Sequence, residues 1–253
     1  MGASLAILTF HALDDHPSAI SFPPELFRRA MARLHDRGLR TVDLSEVVGC
    51  LRGGRPLPPR SFAITFDDGY QSVYREAFPV LQRYGMSATV FLTVGEEPSD
   101  GPARRLPSLN GRMMLSWPEI QEMHSAAIGF GAHTLTHANL TKATQGRVEV
   151  EICQSKAIIE DALGTQVSSL AYPYGRFDQR SLAIARQHFA CACTDRLGLV
   201  DADSDPHSLE RVDAYYLRSD RWFDLMTTRF FPLYLAARSI PRHTRRVLQS
   251  DPG

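Results

Sequence analysis

Short apolar segments recur along this chain. Each is followed by a longer stretch whose apolar residues return at helical spacing, and that alternation leaves few folds open. The pattern predicts strands over residues 5–10, 61–66, 88–93, 128–132, 168–172, 189–194 and 209–213. It predicts helices over residues 25–37, 44–51, 70–84, 117–127, 145–163, 179–188 and 220–237. Punctuation agrees: Pro24 stands at a helix start, Gly38, Gly85 and Gly164 at helix ends, and Ser116 is placed to cap a helix with Pro118 in its first turn. Pro79 predicts a kink in the 70–84 helix. The 61–66 segment is short and apolar, as an inner strand covered on both faces must be. Strand–helix units without a hairpin-rich region imply an α/β fold, and a count near seven or eight favours a barrel over an open sheet.

Composition sets the outer limits. The chain has 253 residues, 43% of them hydrophobic, enough to bury the core of a single domain over residues 1–253. Lys plus Arg is 28 and Asp plus Glu is 28, so no basic excess points to nucleic acid or to an anionic membrane. The four cysteines, Cys50, Cys153, Cys191 and Cys193, form no CxxC pair and no dense framework. Cys191 and Cys193 alternate on one predicted strand and read as packing. No segment reaches the roughly 20 apolar residues a membrane span needs. The N-terminus lacks the basic region of a secretory signal, so a cytoplasmic chain is the expectation. Residues 95–112 read as an irregular, substrate-facing insertion carrying Pro98, Pro102 and Pro107. Residues 220–253 read as a helix and a basic tail containing Arg238, Arg242, Arg245 and Arg246. The 222–235 stretch is apolar enough for a peripheral membrane-surface or dimer contact, though closing the barrel with a final helix is its simpler use.

Two motifs bear chemistry. Thr65-Phe66-Asp67-Asp68-Gly69 sits just past a predicted strand, where barrel active sites collect, and Gly69 lets the chain turn. Adjacent side chains diverge, so one carboxylate can bind metal while the other accepts a proton. His133-Thr134-Leu135-Thr136-His137 also follows a strand, and on a helical turn its two imidazoles would share a face. A pair of this kind is alternatively one capping and one exposed histidine. The carboxylate pair in the same chain favours the metal reading: two imidazoles plus one carboxylate make a facial set with positions open for water and substrate. Zinc is the default divalent ion for such a set, and Fe2+, Co2+ and Mn2+ also fit.

These segments resemble the polysaccharide deacetylases of the NodB-homology type, carbohydrate esterase family 4, across about residues 5–215, and the resemblance implies a distorted (β/α)7–8 barrel. The first family motif matches Thr65 to Gly69, and the second matches His133 to His137. The resemblance implies that Asp67 is the general base and that Asp68, His133 and His137 bind the metal. The third motif, Arg-x-Pro-Tyr-Gly in most members, reads Ala171-Tyr172-Pro173-Tyr174-Gly175 here. It implies that Tyr172 and Tyr174 shape the pocket wall and that the Tyr174 backbone N–H helps hold an oxyanion.

Two departures bear on mechanism. Ala171 stands where the family often has an arginine paired with the base aspartate, so Asp67 needs another cation, and Arg211 is the candidate. The alternative for Arg211 is a surface residue paired with Glu210 or Asp213. The late Leu-x-His motif that supplies a general acid is not clear. His11, at the end of the first strand, is the candidate substitute, with His207 a weaker one and a purely structural or supporting role beside the site the alternative for His11. Asp14, Asp15 and His16 read as a solvated loop, with metal ligation the alternative. The function implied is metal-dependent removal of an acetyl or other acyl group from the nitrogen of an amino sugar, in a glycan or lipid-linked saccharide. The alternatives are a deacylase of another small acylated amine or ester, and a carbohydrate-binding protein with vestigial chemistry.

Overall fold

The computed structural model describes residues 4–96 and 105–239. Arg242, Arg245, Arg246 and the 97–104 part of the predicted insertion lie outside the described residues. In chain order the elements are β1 (Ala6–Phe10), β2 (Ala12–Leu13), β3 (Ser21–Phe22), α1 (Pro24–Asp36), β4 (Arg40–Thr41), α2 (Leu44–Arg52), β5 (Ser61–Phe66), α3 (Phe78–Arg83) and β6 (Thr89–Leu92). There follow α4 (Trp117–Ser125), β7 (Gly129–Ala132), α5 (Gln145–Leu163), β8 (Ser169–Ala171), α6 (Gln179–His188), β9 (Cys191–Leu197), β10 (Leu209–Asp213) and α7 (Asp220–Leu225). The strand order is β1-β10-β9-β8-β7-β6-β5-β4, and β1 also pairs with β5. That pairing closes a parallel (β/α) barrel with helices outside, as the alternation predicts.

The barrel is distorted for a visible reason. β5 joins β6 only through Thr65 and Phe66 at its C-terminal end, while β4 pairs with Ser61 and Phe62 at the other end. The two strands splay, and β4 occupies the seam between them. A second irregularity lies between β9 and β10, where Leu209 faces Cys193 but Arg211 faces Leu197. The surplus residues in β9 form a bulge, which interrupts the ladder and re-aims nearby groups.

Period-two alternation divides the apolar residues into two cores. Leu8, Phe10, Ile64, Phe66, Val90, Leu92 and Val212 face the helices, and Phe10 and Phe66 stack with centroids 5.5 Å apart. Ile7, Ala63, Phe91, Ala171, Cys191 and Cys193 fill the barrel and, with Val42, Val47 and Val48, form the second cluster. The packing role expected for Cys191 and Cys193 holds, since both thiols are free and buried.

Two predicted helices are interrupted. The 70–84 segment is a π-helical turn over Val73–Ala77 followed by α3, with Pro79 in its first turn. Pro79 has no N–H to donate and its ring would collide with the carbonyl four residues back, so the chain widens there. The 220–237 segment breaks after α7 and resumes as a helix over 231–239. Thr227 and Thr228 hydroxyls donate to the Asp224 and Leu225 carbonyls, and Pro232 suits a fresh first turn. α7 lies against α1, tied by an Arg33–Asp224 contact of 2.6 Å.

Gly131 in β7 is required for space rather than for an unusual φ. A Cβ there would stand 2.5 Å from the Phe91 ring and 2.6 Å from Ser169 Oγ. Gly131→Ala is therefore expected to destabilise the fold by about 1–3 kcal/mol through overpacking. Urea unfolding would register this as a lower midpoint at unchanged slope.

Candidate metal centre and active site

β5 delivers two carboxylates to the barrel mouth. Asp67 still follows the ladder, its N–H donating to the Phe10 carbonyl at 2.9 Å. Asp68 (φ 75°) and Gly69 (φ 85°) then turn the chain sharply. A Cβ on Gly69 would also meet Leu106 at 2.8 Å, so glycine answers both constraints. Asp67 and Asp68 are each 3% exposed.

β7 delivers the histidines. The 133–137 segment is not the helical turn considered above: Thr134 (φ 65°) and His137 (φ 59°) are left-handed, and the chain coils back on itself. The outcome is still two facing imidazoles, with centroids 4.9 Å apart. His133 Nε2 and His137 Nε2 each lie 3.4 Å from Asp68 Oδ1. One ligand atom from each of the three residues falls within 4.8 Å of the others, and among the described residues this is the one such group of His, Cys, Asp or Glu.

The donor set fits a divalent cation. Asp68 Oδ1 is buried with no hydrogen-bond partner, a costly state that a cation between it and the imidazoles would relieve. His133 Nδ1 lies 2.8 Å from the Ala171 carbonyl. A carbonyl only accepts, so Nδ1 carries a proton there, and Nε2 is the nitrogen left for a cation. Burial, then the neighbouring His133, lowers the His137 pKa to about 4, leaving the neutral ring that ligation needs. For Asp68, burial alone would raise the pKa. The close approach of His133, with His11 and His137 nearby, outweighs it and holds the carboxyl below the usual range.

Asp67 has a different partner. Arg211 Nη1 donates to its Oδ1 at 2.8 Å and Nη2 to its Oδ2 at 2.7 Å, a bidentate pair with Arg211 3% exposed. The guanidinium is fixed in turn: Nε donates to the Thr194 carbonyl at 2.7 Å, at the β9 bulge, and Nη1 reaches Thr65 Oγ1 at 3.2 Å. Burial works to raise the Asp67 pKa, but the Arg211 charge, with help from His133, overrides it and keeps the carboxyl ionised. Arg211 is thus an interior residue paired with Asp67, not a surface partner of Glu210 or Asp213.

The remaining expected residues are spread around one cleft of about 280 Å³. His11 Nε2 stands 3.9 Å from Asp67 Oδ2, with its side chain 25% exposed. Tyr174 (φ 59°) is 56% exposed and sets its ring edge-on over His137 at 4.6 Å. Tyr172 lines the cleft, but its ring is buried against Phe177 and its hydroxyl donates to the His207 carbonyl. It is a wall without a free hydroxyl. His207 lies away from the mouth, its Nε2 3.0 Å from the Phe189 carbonyl, which removes it as an acid. Asp14 is held by Arg112 at 2.8 Å and is no ligand. Sequence reasoning missed the Ala171 carbonyl and the cleft-lining Asp195 and Asp213. The two aspartates stand at strand C-terminal ends, a positional signal that was available.

Comparison with known proteins agrees with this geometry. Residues 54–190 match the family described as polysaccharide deacetylase. A putative polysaccharide deacetylase of Bacillus subtilis, YxkH, is 29% identical over 211 residues, covering 83% of this chain and 71% of that protein. The poly-β-1,6-N-acetyl-D-glucosamine N-deacetylase of Escherichia coli is 30% identical over 135 residues, covering 50% of this chain and only 20% of that enzyme. Among solved structures, the deacetylase PplD of Streptococcus pyogenes, in complex with acetate, superposes with a TM-score of 0.74 at 24% identity. That match covers 84% of this chain and 93% of PplD and bears on the fold.

Arg211→Met leaves a buried carboxylate unpaired and is expected to cost about 3–5 kcal/mol of stability. Arg211→Met combined with Asp67→Asn removes both charges and should recover a large part of that loss. Urea unfolding of the two single variants and the double variant measures the coupling, and strict additivity would contradict it.

Proposed function

Because this chain belongs to the polysaccharide deacetylase family, we propose that it removes acetyl groups from the amide nitrogen of N-acetylated amino sugars in a glycan. It is a metal-dependent hydrolase whose ion is held by Asp68, His133 and His137, and zinc is the ion we propose for that set. The observation that carries the reading is the juxtaposition of this ligand group with a second, separately paired carboxylate, Asp67, in the same cleft.

When bound, a divalent cation polarises the amide carbonyl and lowers the pKa of water at the site. The chain's own groups do the rest. Asp67 takes a proton from the attacking water as the new carbon–oxygen bond forms. Arg211 occupies one lone-pair direction on each Asp67 oxygen, leaving the others for that proton and fixing the carboxylate plane. The Tyr174 backbone N–H helps to hold the developing oxyanion. As the carbon–nitrogen bond breaks, His11 delivers a proton to the amine, and acetate leaves with the water oxygen. The exposed Tyr174 ring offers a face on which a sugar can stack.

The test is acetate release from N-acetylglucosamine oligomers, with lipid-linked acylated saccharides as a second set. Chelation should abolish release, and zinc should restore it. Asp67→Asn is expected to lower kcat by about 10²–10⁴-fold while leaving zinc binding in place. His11→Ala should lower kcat more than it changes KM. A zinc-loaded protein that binds the oligomers and releases no acetate would mark a glycan-binding protein instead.

A further inference from the structure

The loop between the two histidines has to place both imidazoles on one point while adopting an unfavourable backbone. Thr134 and His137 both carry a Cβ and both have positive φ, which L-residues avoid. Leu135 is 2% exposed and Thr134 is fully buried, so water cannot satisfy the polar groups of this loop at will.

What holds it is a side chain from another element. Along α5 the inward stripe reads Val148, Glu151, Ile152, Ser155 and Ile159, with a carboxylate in a row otherwise suited to the core. Glu151 is 0% exposed. Its Oε2 accepts the backbone N–H of Leu135 and that of Thr136, each at 2.8 Å. Its Oε1 accepts the Thr136 hydroxyl at 2.5 Å and Arg147 Nη2 at 2.6 Å. Arg147 provides the charge that lets a carboxylate sit there, and it also meets Glu96, just past β6, at 2.5 Å. A second tether runs from the Gly95 N–H to the Leu135 carbonyl at 2.7 Å.

We propose that Glu151 is a positioning residue for the metal centre. By fixing the 135–136 peptide from below, it holds His137 where its Nε2 meets Asp68, so that the ligand set is formed before any ion arrives. The proposal rests on the reading of Asp68, His133 and His137 as metal ligands. Glu151 itself touches neither ion nor substrate. Its effect passes through the backbone to His137, and metal affinity therefore contains less of the cost of ordering the loop.

The test uses the full chain stripped of metal, with zinc affinity measured by competition against a chromophoric chelator and folding checked by circular dichroism. Glu151→Ala, folded without metal, is expected to bind zinc about 10–100-fold more weakly, and Glu151→Gln to fall between it and the unaltered chain. In a His137→Ala background the same Glu151 changes should alter zinc affinity little, because the ligand they position is gone. A contribution to general stability alone would leave the affinity of the folded variants within twofold of the unaltered chain, and that result overturns the proposal. Equal losses with and without His137 would overturn it as well. Should Glu151→Ala fail to fold, Glu151→Gln decides between these outcomes. If the unaltered chain binds no zinc, it is the metal reading that fails rather than the role of Glu151.

Discussion

The pairing of the first strand with the fifth is the constraint on which the site depends. Five successive residue pairs, from Ala6 with Phe62 to Phe10 with Phe66, close the ring and set β5 beside β1, with β10 next in order. A guanidinium on β10 thereby comes within reach of a carboxylate that has just left β5. Hydroxyls mark the route, with Thr9 and Thr65 oxygens 3.1 Å apart and Thr65 in contact with Arg211. Opened at this seam, the sheet would keep its strands and helices but lose the chemistry at its mouth.

Ring closure also solves an electrostatic problem. Two adjacent buried carboxylates would repel each other if they shared one environment. Here the sharp turn after the strand sends them different ways, Asp67 towards a permanent cation and Asp68 towards two imidazoles. Each is held ionised by its own neighbours, and the two can perform different tasks at one pH. The same division explains why the ligand carboxylate retains an unsatisfied oxygen while the other is doubly bonded.

Much of this was legible in the chain. Alternation gave the barrel because strand and helix periods differ and the segments are short. The metal set was readable because Asp68, His133 and His137 lie in compact local motifs at strand ends. What escaped depends on distance along the chain. The backbone carbonyl at Ala171 that orients His133 leaves no trace in residue identity. The β9 bulge that frees the Thr194 carbonyl for Arg211 is a register effect, invisible until the strands are paired. The left-handed residues at Thr134 and His137 flank two N–H groups tied to Glu151 of α5, a tertiary contact that local preference does not reveal. Glu151 did leave a mark, a charge on an apolar stripe, but a helix read only for its period passes over it.

The seat of the guanidinium on β10 has a consequence for what position 171 can hold. Ala171 lies fully buried among Phe91 and Cys193 in the barrel interior, and the guanidinium reaches Asp67 from β10, with β9 between that strand and β8. An arginine added at 171 would put a second guanidinium beside one carboxylate, and loss of Arg211 would leave that carboxylate with none. Either change is penalised, because Asp67 and Arg211 are each only 3% exposed and an unmatched charge there finds little water.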